Sequence, residues 1–279
     1  MNKDIQTIVD IALYEDIRGG DITTSAIFSG SDTATARFVA KQAGVVAGID
    51  LAAYIFQQVD HTLEFIPKVG DGTPVQKDEV FAEVCGRAAS VLTAERTVLN
   101  FMQRMSGIAT KTSRFCDAIA DYPTQLLDTR KTAPGHRYLD KWAVRLGGGT
   151  NHRFCLDDMY LIKENHIAVA GGIRQALQTC AAHREQKGLQ ANIEIEIEHL
   201  SQLDEVLESG AADIVLLDNM STDQLAEAVK KIDGRLKVEA SGNMTMRRAP
   251  EVAATGVDYI SVGSITHSVT AMDISLRFA

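Results

Sequence analysis

After Tyr122 the sequence alternates short apolar runs with amphipathic stretches, and this alternation restricts the possible folds more than any other feature. The runs TQLLD (124–128), MYLIK (159–163), NIEIEIE (192–198), DIVLLD (213–218), LKVEAS (236–241) and YISVG (259–263) read as strands. Between the later ones lie GGIRQALQTCAAHREQKG, LSQLDEVLESG and STDQLAEAVKKIDG, which read as helices. A strand–helix repeat of roughly 20–30 residues suits a parallel α/β barrel, with an open doubly wound sheet as the alternative. In a barrel the C-terminal ends of the strands line the active site. Each strand here delivers a polar group to that end: Asp128 with Arg130 and Lys131, then Lys163, Glu196, Asp218, Glu239 with Ser241, and Gly263 with Ser264.

The part before Tyr122 follows another pattern. TATARFVAKQAGVVAG, TLEFIPKVGDG and VFAEVCGRAASVL are short and strand-like, separated by Gly-rich turns. A long helix follows, expected to begin with Thr93 as its N-cap and to bury Val98, Leu99, Met102, Met105 and Ile108. On that reading Arg96 stands near a helix start, where a cation opposes the macrodipole.

Charge narrows the class of ligand. The 279-residue chain has net charge −9 and a sequence pI of about 5.3, which argues against nucleic acid as a partner. Yet residues 128–166 hold seven Lys/Arg against five acids, and three of the seven histidines (136, 152 and 166). A basic island in an acidic chain points to a small anionic ligand. The four cysteines form no CxxC pair, the N-terminus lacks the apolar core of a signal peptide, and no run approaches the length of a membrane helix. A cytoplasmic protein with no membrane partner is expected.

Several motifs refine the picture. IEIEIE puts Glu194, Glu196 and Glu198 on one face and three isoleucines on the other. The bland interpretation is a half-exposed strand with a wet face. In a barrel the glutamates instead point inward, where the Lys/Arg island can compensate them. EASGNM and ISVGSITHS place Ser241, Gly242, Gly263 and Ser264 just after the last two strands, a common position for a phosphate site in barrels. RLGGGTNHR is either a flexible loop or a backbone able to close around a ligand, carrying His152 and Arg153.

These elements together resemble the quinolinate phosphoribosyltransferase family (carboxylating nicotinate-nucleotide diphosphorylases). The resemblance runs along nearly the whole chain: EDIRGGDITT, LTAERTVLNFMQRMSGIAT, DTRKTAPGHR, WAVRLGGGTNHR, LIKENHI, IEIEIE, LLDN, EASGN and GVDYISVGSITHS, in that order. It implies an N-terminal α/β sandwich (1–107) and a C-terminal, incomplete, seven-stranded parallel α/β barrel (108–268). The tail 269–279 would pack back on the sandwich. It further implies a homodimer in which one subunit's sandwich covers the other's barrel mouth.

The implied reaction joins quinolinate to phosphoribosyl pyrophosphate, giving nicotinate mononucleotide, pyrophosphate and CO₂, with Mg²⁺ and no organic cofactor. By motif, Arg130, Lys131, His152, Arg153 and Lys163 would hold quinolinate and nearby phosphate oxygens, and Arg96 would enter from the partner subunit. Glu196 and Asp218 would face the ribose and the metal-bound pyrophosphate. Ser241, Gly242, Gly263 and Ser264 would cradle the 5′-phosphate. Lys131, Glu196 and Asp218 are the expected catalytic set. Rival readings are a pyridine-carboxylate phosphoribosyltransferase that does not decarboxylate, and a silent paralogue that only binds a mononucleotide. The sequence departs from the family's usual pattern at His136, Cys155 and Asn243-Met244.

Overall fold

The computed structural model describes residues 1–278; Ala279, the last residue of the expected tail, lies outside the described residues. The chain runs through α1 (Lys3–Ile17), α2 (Ile22–Ile27), β1 (Thr33–Ala40), β2 (Gly44–Val45), α3 (Ile49–Val59), β3 (Glu64–Pro67), β4 (Pro74–Val75), β5 (Val80–Arg87) and α4 (Ala88–Ala118). It continues with β6 (Gln125–Leu127), α5 (Arg137–Leu146), β7 (Tyr160–Ile162), α6 (Glu164–Ala170), α7 (Ile173–Lys187) and β8 (Ile193–Ile197). Then come α8 (Leu203–Ser209), β9 (Ile214–Asp218), α9 (Thr222–Ile232), β10 (Lys237–Ser241), α10 (Arg248–Ala253), β11 (Tyr259–Ser261), α11 (Ser264–His267) and β12 (Ile274–Phe278). Among the described residues no helix is long and apolar enough to cross a membrane.

Two compact units divide the chain, and neither is one continuous segment. The first comprises residues 1–113, 132–148 and 264 onward; the second comprises 114–131 and 149–263. The family resemblance implied a sandwich of residues 1–107 joined by the tail 269–279, and a barrel of residues 108–268. In the first unit β12, β1, β5 and β3 form an antiparallel sheet in that order, with β12 of the tail paired to β1. Phe38 of β1 and Phe81 of β5 are fully buried; the Phe38 ring meets Phe56 of α3, Phe65 of β3 and Phe81, and Phe56 stacks on Phe65. Ring centroids 5.7–6.1 Å apart make this an aromatic core, whose area dominates burial here.

Helix α4 starts at Ala88, directly after β5, so Thr93 is not its N-cap. The Thr93 hydroxyl instead donates back to the Ala89 carbonyl (2.9 Å) inside the helix. Arg96 therefore lies two turns in, exposed, and the macrodipole conflict expected for it does not arise. Val98, Leu99, Met102, Met105 and Ile108 are buried as the helical spacing predicts. Gly107 lets the tail approach α4 closely: a Cβ there would lie 2.2 Å from the Thr270 carbonyl oxygen.

The second unit is a parallel sheet of six strands in the order β6-β11-β10-β9-β8-β7. The last strand, β11, pairs with the first, β6, so the sheet curls back on itself as a barrel does. A seventh strand was expected. The corresponding segment contributes one parallel bridge, Thr150 to Leu127, on the other side of β6. Gly147–Gly149 precede it, and Asn151 and His152 turn away to Asp128, so no ladder extends from there to β7. The barrel is incomplete at that seam. Isoleucines 193, 195 and 197 of β8 are all buried, while Glu194 and Glu196 occupy the opposite, inner face. Helix α9 opens with a capping box, Ser221 and Gln224 each accepting from the other's main-chain N–H.

Asp60, at the end of α3, ties three elements of the first unit. It is buried and accepts from the Thr62 hydroxyl, the Ser90 hydroxyl and Arg87 Nε, each at 2.7 Å. Burial opposes its charge, but these donors, led by Ser90 and Thr62, hold its carboxyl well below the usual carboxylate range. Such a group stabilises the fold above its unfolded pKa near 4 and loses that contribution as pH falls below it. Asp60→Asn should lower unfolding free energy by about 2 kcal/mol at neutral pH, with the gap to wild type closing in acid. Urea titrations at several pH values measure both.

Candidate active site

All six strands of the second unit point their C-terminal ends at one cavity of about 260 Å³. Thr129, Arg130 and Lys131 follow β6; His152 and Arg153 follow the Thr150 bridge; Lys163 follows β7. Glu196, Asp218, Ser241 and Ser261 come from β8, β9, β10 and β11, with Glu239 deeper on β10. Ladder register explains the convergence. Asp218 pairs with Ser241, while Glu196 and Glu239 both pair with Leu216, so these side chains share the inner face in adjacent rows. A second, mostly apolar cavity of about 330 Å³ runs past Leu156, Met159 and Ala176; it has no comparable convergence of charge.

Four cations thus surround one small space. Lys163 pairs with Glu196 through its ammonium group. The Arg130 Nε is buried and has no hydrogen-bond partner among the described residues. Burial, followed by the neighbouring charge of Arg130, lowers the proton affinity of the Arg153 guanidinium. Two guanidiniums that disfavour one another beside an unsatisfied donor form a site that an anion stabilises.

His152 sits behind these cations. Its Nε2 lies 3.0 Å from Glu194 Oε2 and 3.4 Å from Glu239 Oε2. Its Nδ1 accepts the Arg153 main-chain N–H (2.7 Å), which assigns the ring proton to Nε2. Burial disfavours charge on the ring and the two carboxylates favour it, but a second proton on Nδ1 would clash with the Arg153 N–H, so this geometry holds the neutral Nε2–H form. Burial and the Glu239 charge raise the proton affinity of Glu194, pushing it towards its neutral form. These three residues also have the composition of a cation site, with one ligand atom each within 4.8 Å of the others. With Nδ1 committed to a main-chain donor, however, Nε2 faces the carboxylates as a donor and not as a metal ligand. Hard oxygen ligands suited to Mg²⁺ are offered instead by Glu196 and Asp218, both partly exposed on the cavity wall.

Asn219, which sequence reasoning passed over, organises the floor after β9 and β10. It adopts a left-handed backbone (φ 55°) and donates to Asp218 Oδ2 (2.6 Å). Its Oδ1 accepts from Asn243 Nδ2 (3.0 Å), so the Asn243 side chain is spent on Asn219. Gly242 (φ +90°) must be glycine here, because a Cβ would lie 2.1 Å from Asn219 Oδ1. Arg248, also unanticipated, donates to the carbonyls of Gly242 (3.0 Å) and Met220 (2.5 Å) and clips the two loops together. The available signal was an Asn directly after an apolar strand, a residue that tolerates the left-handed region.

The remaining expected site residues are not among those lining this cavity. Gly263 closes the segment after β11, whereas Ser264 opens α11 in the first unit, where its carbonyl accepts from Lys111 Nζ (2.6 Å). Arg96 does not line the cavity. Of the three histidines in the basic island only His152 does. His166 accepts the Lys163 main-chain N–H (2.9 Å) and caps α6, and His136 packs near Phe101 in the first unit.

Comparison with known proteins gives one consistent answer. Residues 21–106 match the family model of the quinolinate phosphoribosyl transferase N-terminal domain, and residues 108–277 match that of the C-terminal domain. A quinolinate phosphoribosyltransferase [decarboxylating] 1b of Nicotiana tabacum is 45% identical over 289 aligned positions, covering 98% of this chain and 82% of that protein. A probable nicotinate-nucleotide pyrophosphorylase [carboxylating] of Bacillus subtilis (strain 168) is 44% identical, covering 98% of this chain and 92% of that protein. Among solved structures, the nicotinate-nucleotide pyrophosphorylase from Francisella tularensis superposes with a TM-score of 0.94 at 39% identity, over 100% of this chain and 97% of the other. Every strand that carries the cavity lies within the matched C-terminal region, and the chain belongs to the quinolinate phosphoribosyltransferase family.

Proposed function

We propose that the chain transfers the phosphoribosyl group of phosphoribosyl pyrophosphate to quinolinate with decarboxylation, giving nicotinate mononucleotide, pyrophosphate and CO₂. The observation that carries this is the meeting of Arg130, Lys131, Arg153 and Lys163 around one cavity that Glu196 and Asp218 also line. Four cations match a pyridine dicarboxylate beside a phosphorylated sugar. Two carboxylates match a centre that gains positive charge as a leaving group departs.

Arg130, Arg153 and Lys163 grip the quinolinate carboxylates, with His152 directly behind Arg153. The pyridine nitrogen attacks C1 of the sugar as pyrophosphate leaves. Glu196 and Asp218 stabilise the oxocarbenium character that develops there; they would also face Mg²⁺ bound to the pyrophosphate, and that ion would supply charge to offset the leaving group. Once formed, the pyridinium is its own electron sink, so the C2 carboxylate leaves without an organic cofactor. Lys131 stabilises or protonates the resulting C2 carbanion. Ser241, Gly242 and Gly263, at and after the ends of the last two strands, cradle the 5′-phosphate.

The active unit is a homodimer in which Arg96 of a second subunit completes the site; the exposure of Arg96 on α4 supports this. A cytoplasmic location completes the reading, supported by four cysteines that all remain free thiols.

Incubation with quinolinate, phosphoribosyl pyrophosphate and Mg²⁺ should yield nicotinate mononucleotide by mass spectrometry and ¹⁴CO₂ from carboxyl-labelled quinolinate. Nucleotide without CO₂ release would mean a transferase that leaves the carboxylate in place, and binding without turnover a silent paralogue. Lys131→Ala and Arg153→Ala should each lower turnover by about 100-fold or more, as loss of a preorganised charge does; near-normal kinetics in both would discard the assignment. Neither Arg96→Ala nor Lys163→Ala should be active alone, but mixing the two after subunit exchange should restore partial activity, because one intact site forms per heterodimer. No recovery despite demonstrated exchange would place Arg96 outside the site.

A further inference from the structure

Two buried carboxylates in a cavity that takes dianionic quinolinate are electrostatically adverse, and the reaction gives them no task. Glu194 is fully buried and Glu239 nearly so. Removing a charge from water costs several kcal/mol in real proteins unless partners repay it. Both carboxylate oxygens of Glu194, and Glu239 Oε1, nevertheless lack a hydrogen-bond partner of good geometry among the described residues. What both acids face is the Nε2 of His152, at 3.0 and 3.4 Å.

The ring passes that contact on. Residues 151–154 form no helix or strand, so the direction of Arg153 is not fixed by a ladder. It is fixed by individual bonds. Asp128 accepts from the His152 main-chain N–H (2.8 Å) and from Asn151 Nδ2 (2.6 Å), His152 Nδ1 accepts from the Arg153 main-chain N–H (2.7 Å), and Arg153 Nη1 donates to the Met159 carbonyl (3.2 Å). An imidazole holding a main-chain N–H with one nitrogen needs its other nitrogen anchored, or the ring is free to turn about its side-chain bonds.

We propose that Glu194 and Glu239 are positioning residues for Arg153: the close approach of their carboxyl groups to Nε2 fixes the His152 ring, and the ring's Nδ1 holds the Arg153 main chain so that the guanidinium faces a quinolinate carboxylate. The proposal rests on the reaction assigned above. It gives the two acids a purpose that touches one substrate and not the other, because Arg153 belongs to the quinolinate side of the cavity.

The test is a split between Michaelis constants. Glu194→Leu removes the acceptor at nearly constant bulk and should raise the quinolinate KM by about tenfold or more, the usual consequence of leaving a buried donor unpaired. The KM for phosphoribosyl pyrophosphate should stay within about twofold. Glu194→Gln keeps an acceptor oxygen and should bring the quinolinate KM back to within about threefold of wild type. If the leucine variant does not fold, Glu239→Leu, which removes the other acid from Nε2, should show the same selective loss. Thermal unfolding of each variant is recorded alongside. Both constants rising together, or leucine and glutamine variants with equal quinolinate KM, overturns the proposal while the reaction stands. A wild-type chain that forms no nicotinate mononucleotide removes the reaction and the positioning role with it.

Discussion

The hydrogen-bonded ladder between β11 and β6 is the constraint on which the site depends. It returns the last parallel strand to the first and aims six strand ends at one point. Because side chains alternate along each strand, the shared register then selects which residues meet: Glu196, Leu216, Asp218, Glu239 and Ser241 fall on one face without further instruction. The barrel's incompleteness matters as much. With only the Thr150 bridge in place of a seventh strand, residues 151–153 are free of a ladder and can be held by Asp128 and His152 instead. A regular strand there would have committed the Arg153 main chain to a neighbour.

Charge in the cavity is arranged in two tiers. Arg130, Lys131, Arg153 and Lys163 surround the space, and the carboxylates of Glu194 and Glu239 meet His152 deeper in the barrel. The outer tier is tuned for anions, since Arg130 and Arg153 disfavour each other and Arg130 carries an unsatisfied donor. The inner tier takes two acids out of water beside a single imidazole nitrogen, which is unfavourable unless partners compensate it. On the floor, Asn219 accepts a left-handed backbone to link Asp218, Asn243 and the Gly242 turn in one hydrogen-bonded string.

Much of this was legible beforehand, for reasons tied to particular residues. The strand ends near Lys163, Asp218 and Ser241 could be read because apolar runs of that length stop at a polar residue. IEIEIE announced its two faces by strict period two, and the buried isoleucines agree. Thr93 misled because a good capping residue inside a continuous helix looks the same as one at its start. The three histidines of the basic island were indistinguishable in sequence. Their separation into a cap, a ring contact and a cavity residue depends on which unit each segment joins.

Local pattern by itself determined the order of strands and helices, the inward face of β8 and the concentration of positive charge at 128–166, because these follow from periodicity and composition along the chain. Tertiary structure alone decided that the chain divides into interleaved units, that the seventh segment shrinks to a single bridge, and that His152 turns its Nε2 toward two buried acids. Those outcomes hang on contacts between residues dozens of positions apart. No spacing rule encodes such contacts, because they exist only once the sheet has closed.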